Sequence, residues 1–158
     1  LGNWRDVGGL SLMATINTAS KLAAKLAKIV QNTEGHPQVS AGFLRDATYP
    51  DGTSVAMVAS VQEFGDGKIP PRPFFRHMVA QHKDSWPEAV AANLKATDYD
   101  AHKTLDRMGQ GIVGQIQQSI KDTNDPPLAP STIKRKGFDK PLIDTSVMIN
   151  SANYRVED

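Results

Sequence analysis

At 158 residues the chain is of single-domain size, and its 39% hydrophobic and 22% charged content excludes a disordered or low-complexity protein. A formal net charge of +1 excludes a global electrostatic pull toward nucleic acid or anionic lipid, so any basic contact must be local. The absence of cysteine excludes a disulfide framework and a thiolate site, and fits synthesis inside a cell; no apolar run is long enough to span a membrane.

Residues 1–12 (LGNWRDVGGLSL) carry glycines at 2, 8 and 9, lack the basic-then-apolar pattern of a leader, and precede Met13. They read either as a flexible arm that orders on a partner or as an upstream extension, with 13–158 as one domain. From residue 15 to 31 the pattern is helical. Leu22, Leu26, Ile29 and Val30 form an apolar stripe, Lys21, Lys25 and Lys28 a basic one, and Asn17 or Thr18 is placed to cap the start. Three lysines on one face are ordinarily a solvated surface; the sharper reading is a face that meets an acidic neighbour.

After a turn at 32–37, Val39, Ala41 and Phe43 alternate with polar or small residues, which predicts a strand over 38–46 ending near the turn at 49–53 (YPDGT). Residues 54–64 fit two periods. As a helix they place Val55, Val58, Ala59 and Phe64 on the packing face, with Thr53 or Ser54 as cap and Gly65 as stop; as a strand they would pair back on 38–46. Two agreeing capping signals favour the helix. The prolines of 65–73 (GDGKIPPRP) make a stiff loop, and Pro73 is placed to begin a helix at Phe74. Ser85 as cap and Pro87 in the new first turn mark a break and restart that runs to about Lys95.

The longest helix starts at 97–100 and reaches about Lys121, with Leu105, Met108, Ile112, Ile116 and Ile120 as its seam. Gly109, Gly111 and Gly114 inside it each cost about 1 kcal/mol relative to alanine, so they call for a reason such as close backbone approach. A proline-rich loop, a short helix stopped by Gly137, a helix capped by Asp144, Thr145 or Ser146, and a strand at 152–156 complete the chain. The expected fold is α+β: an antiparallel sheet of two to four strands, packed against an N-terminal helix and the long helix of the C-terminal half.

No catalytic or cofactor constellation emerges. His77 and His82 lie about 140° apart around a helix and make a poor metal pair. Asp98 and Asp100 have a sufficient role at a helix start. Residues 109–114 spell G-x-G-x-x-G, but within a helical seam and not at a strand-to-helix turn, so they do not form a phosphate loop. The one dense basic cluster is Lys134, Arg135 and Lys136. Its position at a helix end complements the helix dipole, and without interleaved aromatics it is weak as a nucleic-acid contact.

Four blocks carry a resemblance: 61–65 (VQEFG), 69–75 (IPPRPFF), 127–137 (PLAPSTIKRKG) and 140–145 (KPLIDT). In order and spacing, over roughly residues 38–156, the chain resembles the tail-completion and virion-morphogenesis (head–tail joining, or neck) proteins of tailed bacteriophages. It departs from that pattern at Ser146, where the family usually has glycine, and at 148–150, where a basic run is common. The resemblance implies a non-enzymatic structural protein without cofactor, made in the bacterial cytoplasm and placed in the virion. It implies a ring, most often sixfold, whose partners are further copies, the tail tube, the tail terminator and the head connector. Ring contacts are heterologous, which places Pro70, Pro71, Arg72, Phe74 and Phe75, with Pro127, Leu128, Lys134, Arg135 and Lys136, among the expected contact residues. The competing expectation for Phe74 and Phe75 is that they anchor the core. Rival readings are a small DNA-binding adaptor using Lys134–Lys136 and the α-helical lysine face, and a hydrolase whose site has no sequence signature.

Overall fold

The computed structural model describes residues 7–44 and 46–157, with side chains from Ser20 onward. Along these the chain runs α1 (Val7–Thr33), β1 (Gln38–Phe43), α2 (Val55–Phe64), α3 (Phe74–His82), α4 (Trp86–Ala96), α5 (Ala101–Asp122), α6 (Pro130–Lys136), α7 (Val147–Asn150) and β2 (Ala152–Glu157). The fold is α+β, as expected. Of the twelve residues read as arm or extension, 1–6 lie outside the described residues and 7–12 are helical. Asn17 and Thr18 therefore stand within α1 and do not cap it.

β1 and β2 form a two-stranded antiparallel sheet, with Gln38 opposite Glu157 and Phe43 opposite Ala152. Val39, Ala41 and Phe43 share a face with Ala152, Tyr154 and Val156, and the sheet packs on α5. β1 is shorter than the 38–46 expected, because the chain turns where the Ala47 N–H reaches the Leu44 carbonyl. At the following turn the Gly52 N–H reaches Tyr49, with Gly52 at φ 84°.

α5 is the central element. Its Ile116 and Ile120 are buried with Val55 and Ala59 of α2, Phe74 and Met78 of α3, Leu142, and Met148 and Ile149 of α7, while Met108 is buried beside Asn93 of α4. Each large side chain removed from water contributes about 1.5–3 kcal/mol. Phe43 and Phe74 meet edge to face at 6.1 Å, which ties the sheet to α3. The Asp100 carboxylate caps α5 by accepting the Lys103 N–H at 2.9 Å, and buried Thr104 bonds Thr97 at 2.8 Å.

Gly109 is one place where close approach explains a helical glycine. A Cβ there would stand 2.2 Å from Tyr154 Cδ2 and 2.5 Å from its Cγ. That ring is held by its hydroxyl, which donates to Asp106 at 2.6 Å, so it has little room to move. Gly109→Ala is expected to destabilise by about 1–3 kcal/mol through overpacking. Gly111 and Gly114 meet nothing within 4 Å, and Gly111→Ala should stabilise by up to about 1 kcal/mol. Urea denaturation of both variants checks the contrast; equal shifts would refute it.

α1 is held differently from the rest. Its lysines Lys25 and Lys28 pair with Asp98 at 3.7 and 3.3 Å in exposed ion pairs, which are worth at most about 1 kcal/mol each. Of the expected stripe, Leu22, Leu26 and Val30 are 59%, 54% and 56% exposed while Ile29 is half-buried, so most of it faces water, and the sheet packs on α5.

Candidate functional site

The four sequence blocks converge on one region of the fold, and two buried charges hold them there. The first is Glu63, near the end of α2, only 5% exposed. Its carboxylate accepts the backbone N–H of Phe75 at 2.9 Å and of Arg76 at 3.2 Å, together with Arg76 Nε at 2.7 Å. Pro73 precedes α3 and provides no side-chain cap, so the free N–H groups at the start of α3 are satisfied from α2. The EFG block thus caps the helix opened by the PPRPFF block. Ser54 caps α2 by accepting the Met57 N–H, and Gly65, at φ 77°, stops it, as the helical reading of 54–64 expects.

The second charge is Arg72, 5% exposed. Its Nε donates to the Pro126 carbonyl at 3.0 Å, Nη1 reaches Gln62 Oε1 at 3.4 Å, and Nη2 reaches the Pro127 carbonyl at 3.5 Å. Burial holds its pKa below the usual guanidinium value. Lys136 works in the same manner on the neighbouring turn: its ammonium donates to the carbonyls of Lys140 and Ile143. Burial pushes the Lys136 pKa down, while the Asp144 carboxylate acts in the opposite direction. Backbone carbonyls of the proline loops are therefore bound by cations from other blocks.

Between these segments lies a cavity of about 650 Å³. Arg72, Lys68, Arg135 and Lys136 line it with Asp51, Asp144 and Tyr49, and its remaining wall includes Pro70, Leu128 and Leu142. Burial raises the Tyr49 phenol pKa, reinforced by Asp144 and Asp51. A smaller groove of about 290 Å³, lined by Phe43, Ala56, Ala59, Phe64, Phe74 and Phe75, runs between α2 and β1. Among the described residues no three His, Cys, Asp or Glu side chains converge to hold a metal, and no helix is long and apolar enough to cross a membrane.

The expected contact residues divide. Pro70, Pro71 and Pro127 are exposed, Leu128 is half-buried, and Lys134 and Arg135 are exposed at the end of α6. Arg72 and Phe74 are buried within the chain, Phe75 packs partly against the core, and Lys136 is half-buried with its charge committed to carbonyls. As a surface cluster, the basic run is thus reduced to Lys134 and Arg135.

Three corrections concern apolar and capping positions. Ser85 does not cap α4, because its hydroxyl donates back to the His82 carbonyl at 2.7 Å. Phe64, placed on the packing face of α2, is 64% exposed, and with Met57, 59% exposed, it marks an outward apolar edge about two helical turns long. The period-seven spacing of Met57 and Phe64 was the available signal. α7 is not capped by a side chain of Asp144, Thr145 or Ser146; instead Ser146 sits at φ 61°, ψ 4°, the left-handed region that favours glycine. Ser146→Gly is expected to raise stability by about 1 kcal/mol, since an L-residue pays about 1–2 kcal/mol there. A thermal transition unchanged or lowered in Ser146→Gly would contradict this.

No protein-family model, curated protein or solved structure matches the chain.

Proposed function

We propose that this chain is a structural protein of the neck or tail end of a tailed bacteriophage, acting by assembly into a ring, most often sixfold, that completes the tail and joins it to the head. Its partners are further copies of itself, the tail tube, the tail terminator and the head connector, and its place is the virion. It works by shape-matched contact and not by turnover.

The observation that carries this reading is the pair of separate apolar surfaces left in water: the Leu22–Leu26–Val30 stripe of α1, and the Met57–Phe64 edge of α2 with its adjoining groove. A helix of this length gains most of its stability from packing, and the ion pairs of Lys25 and Lys28 that tie α1 to the body are exposed and weak. Two unlike surfaces on one subunit are what a heterologous, ring-closing contact needs. The family pattern supports the same reading in two ways. Its blocks serve here as one clasp built on Glu63 and Arg72, and its glycine falls where Ser146 adopts a left-handed backbone.

The DNA-adaptor alternative has less behind it. Lys25 and Lys28 are engaged with Asp98, and Lys136 is turned onto carbonyls. Native mass spectrometry of the protein, alone and bound to isolated tails, tests the proposal. A multi-copy ring, or addition to tails in a fixed number of copies, is expected. A strict monomer at high micromolar concentration that never joins tails would overturn it, and binding to duplex DNA that falls steeply with salt would favour the alternative.

A further inference from the structure

We infer that the cavity floored by Arg72 is a binding site for a carboxylate side chain carried on a peptide segment of a partner protein. The inference goes beyond the ring reading and does not depend on it.

The floor residue is the starting point. A guanidinium has five N–H donors in a fixed fork, and a buried one ordinarily faces a carboxylate. Arg72 is 5% exposed, yet its acceptors are all neutral: two backbone carbonyls and one amide oxygen. Only the Nε bond, at 3.0 Å, is short; the two terminal nitrogens reach their acceptors at 3.4 and 3.5 Å, the outer limit of a hydrogen bond. Among the described residues Arg72 forms no ion pair. The terminal edge of the fork is therefore under-used, and it is the edge that grips a carboxylate with two parallel bonds.

The walls specify the rest of the ligand. Lys68 and Arg135 stand at the exposed rim, and Lys136 lies behind. Two carboxylates share the lining. Asp51 is occupied in its own turn, accepting the Thr53 N–H at 2.9 Å, and Asp144 acts on Lys136. Four cations against two carboxylates leave the cavity net positive. Pro70, Pro127, Leu128, Pro141 and Leu142 add rigid apolar wall, suited to the side chains that flank an acidic residue in a peptide. At about 650 Å³ the space holds a few side chains. A nucleic-acid strand fits poorly, because its repeating phosphates would pass Asp51 and Asp144, and a single deep guanidinium cannot serve a run of charges.

The test is a ¹⁵N nuclear magnetic resonance titration with a panel of capped pentapeptides, each with a central glutamate or aspartate between apolar residues. Matched peptides with glutamine or asparagine at the centre, and inorganic phosphate, are titrated in parallel. Expected are shifts at Arg72 Nε and at the amides of Leu128 and Thr145, with at least one acidic peptide binding about tenfold or more tighter than its amide twin. The double variant Lys68→Ala/Arg135→Ala removes only exposed rim charges. It should weaken the acidic peptide severalfold and leave the amide peptide unchanged. Arg72→Lys should abolish the preference, and its thermal transition is measured first; if it fails to fold, the rim variant decides. Overturning results are no shift with any acidic peptide at millimolar concentration, equal binding of the amide twins, or phosphate binding more tightly than every peptide.

Discussion

Replacing Glu63 with alanine is expected to lower stability by about 2–4 kcal/mol, the largest single-residue loss anticipated outside the apolar core. The carboxylate is buried and accepts two backbone N–H groups at the start of α3 as well as Arg76 Nε. Alanine removes both acceptor oxygens, and with them three hydrogen bonds, and leaves the N–H groups of Phe75 and Arg76 without a partner at a partly buried helix end. For a chain of this size the loss corresponds to roughly 5–15 °C in the thermal midpoint. Glu63→Gln keeps one oxygen for the backbone and should lose only about half as much. Calorimetry or urea denaturation of the two variants decides the matter, and a Glu63→Ala midpoint equal to that of the parent chain would remove the capping role.

The double substitution Leu22→Asp/Leu26→Asp is expected to abolish the proposed ring assembly while leaving the folded body almost unchanged. Both leucines are more than half exposed, so placing charge there removes little packing within the chain. In a subunit contact they would be central apolar anchors, each worth about 2 kcal/mol, and together their loss weakens each contact by roughly a thousandfold. Native mass spectrometry should then show only the single chain, and circular dichroism a thermal transition close to that of the parent. A ring that forms undiminished would place the subunit contact elsewhere, and a collapsed transition would mean that the stripe packs internally. Met57→Asp gives the matching test on the α2 edge.

How far the sequence could be read depended on whether local chemistry settled the question. Ser54 and Gly65 bracketed α2 correctly because both act within a few residues of the helix they cap or stop. The α5 seam was legible because its period is set by the helix itself, and Met108, Ile116 and Ile120 are indeed buried. The alternation in β1 put Val39, Ala41 and Phe43 on one face, as the register shows, but it could not say that the partner strand lies at 152–157. What stayed hidden was long-range. The EFG and PPRPFF blocks were recognisable as strings, but that Glu63 reaches the start of α3 and Arg72 reaches carbonyls more than fifty positions away depends on tertiary closure. Periodicity also marks an apolar face without saying what covers it. Leu22 and Leu26 read as a packing stripe and turned out to face solvent. At Ser146 the polar residues before a short helix look like a cap, whereas the backbone turns left-handed there and the side chain does not cap.

The pairing of β1 with β2 sets a timetable for the nascent polypeptide. About a hundred residues must be polymerised after Phe43 before Ala152 exists to meet it, which at synthesis rates of ~5–20 residues per second is roughly 5–20 s. Throughout that delay the early strand has two unsatisfied edges, while the intervening helices can form by themselves. Crowded expression therefore risks intermolecular strand exchange at one known segment, 38–43, and slowing synthesis with lower temperature or sparser chains should favour the correct partner.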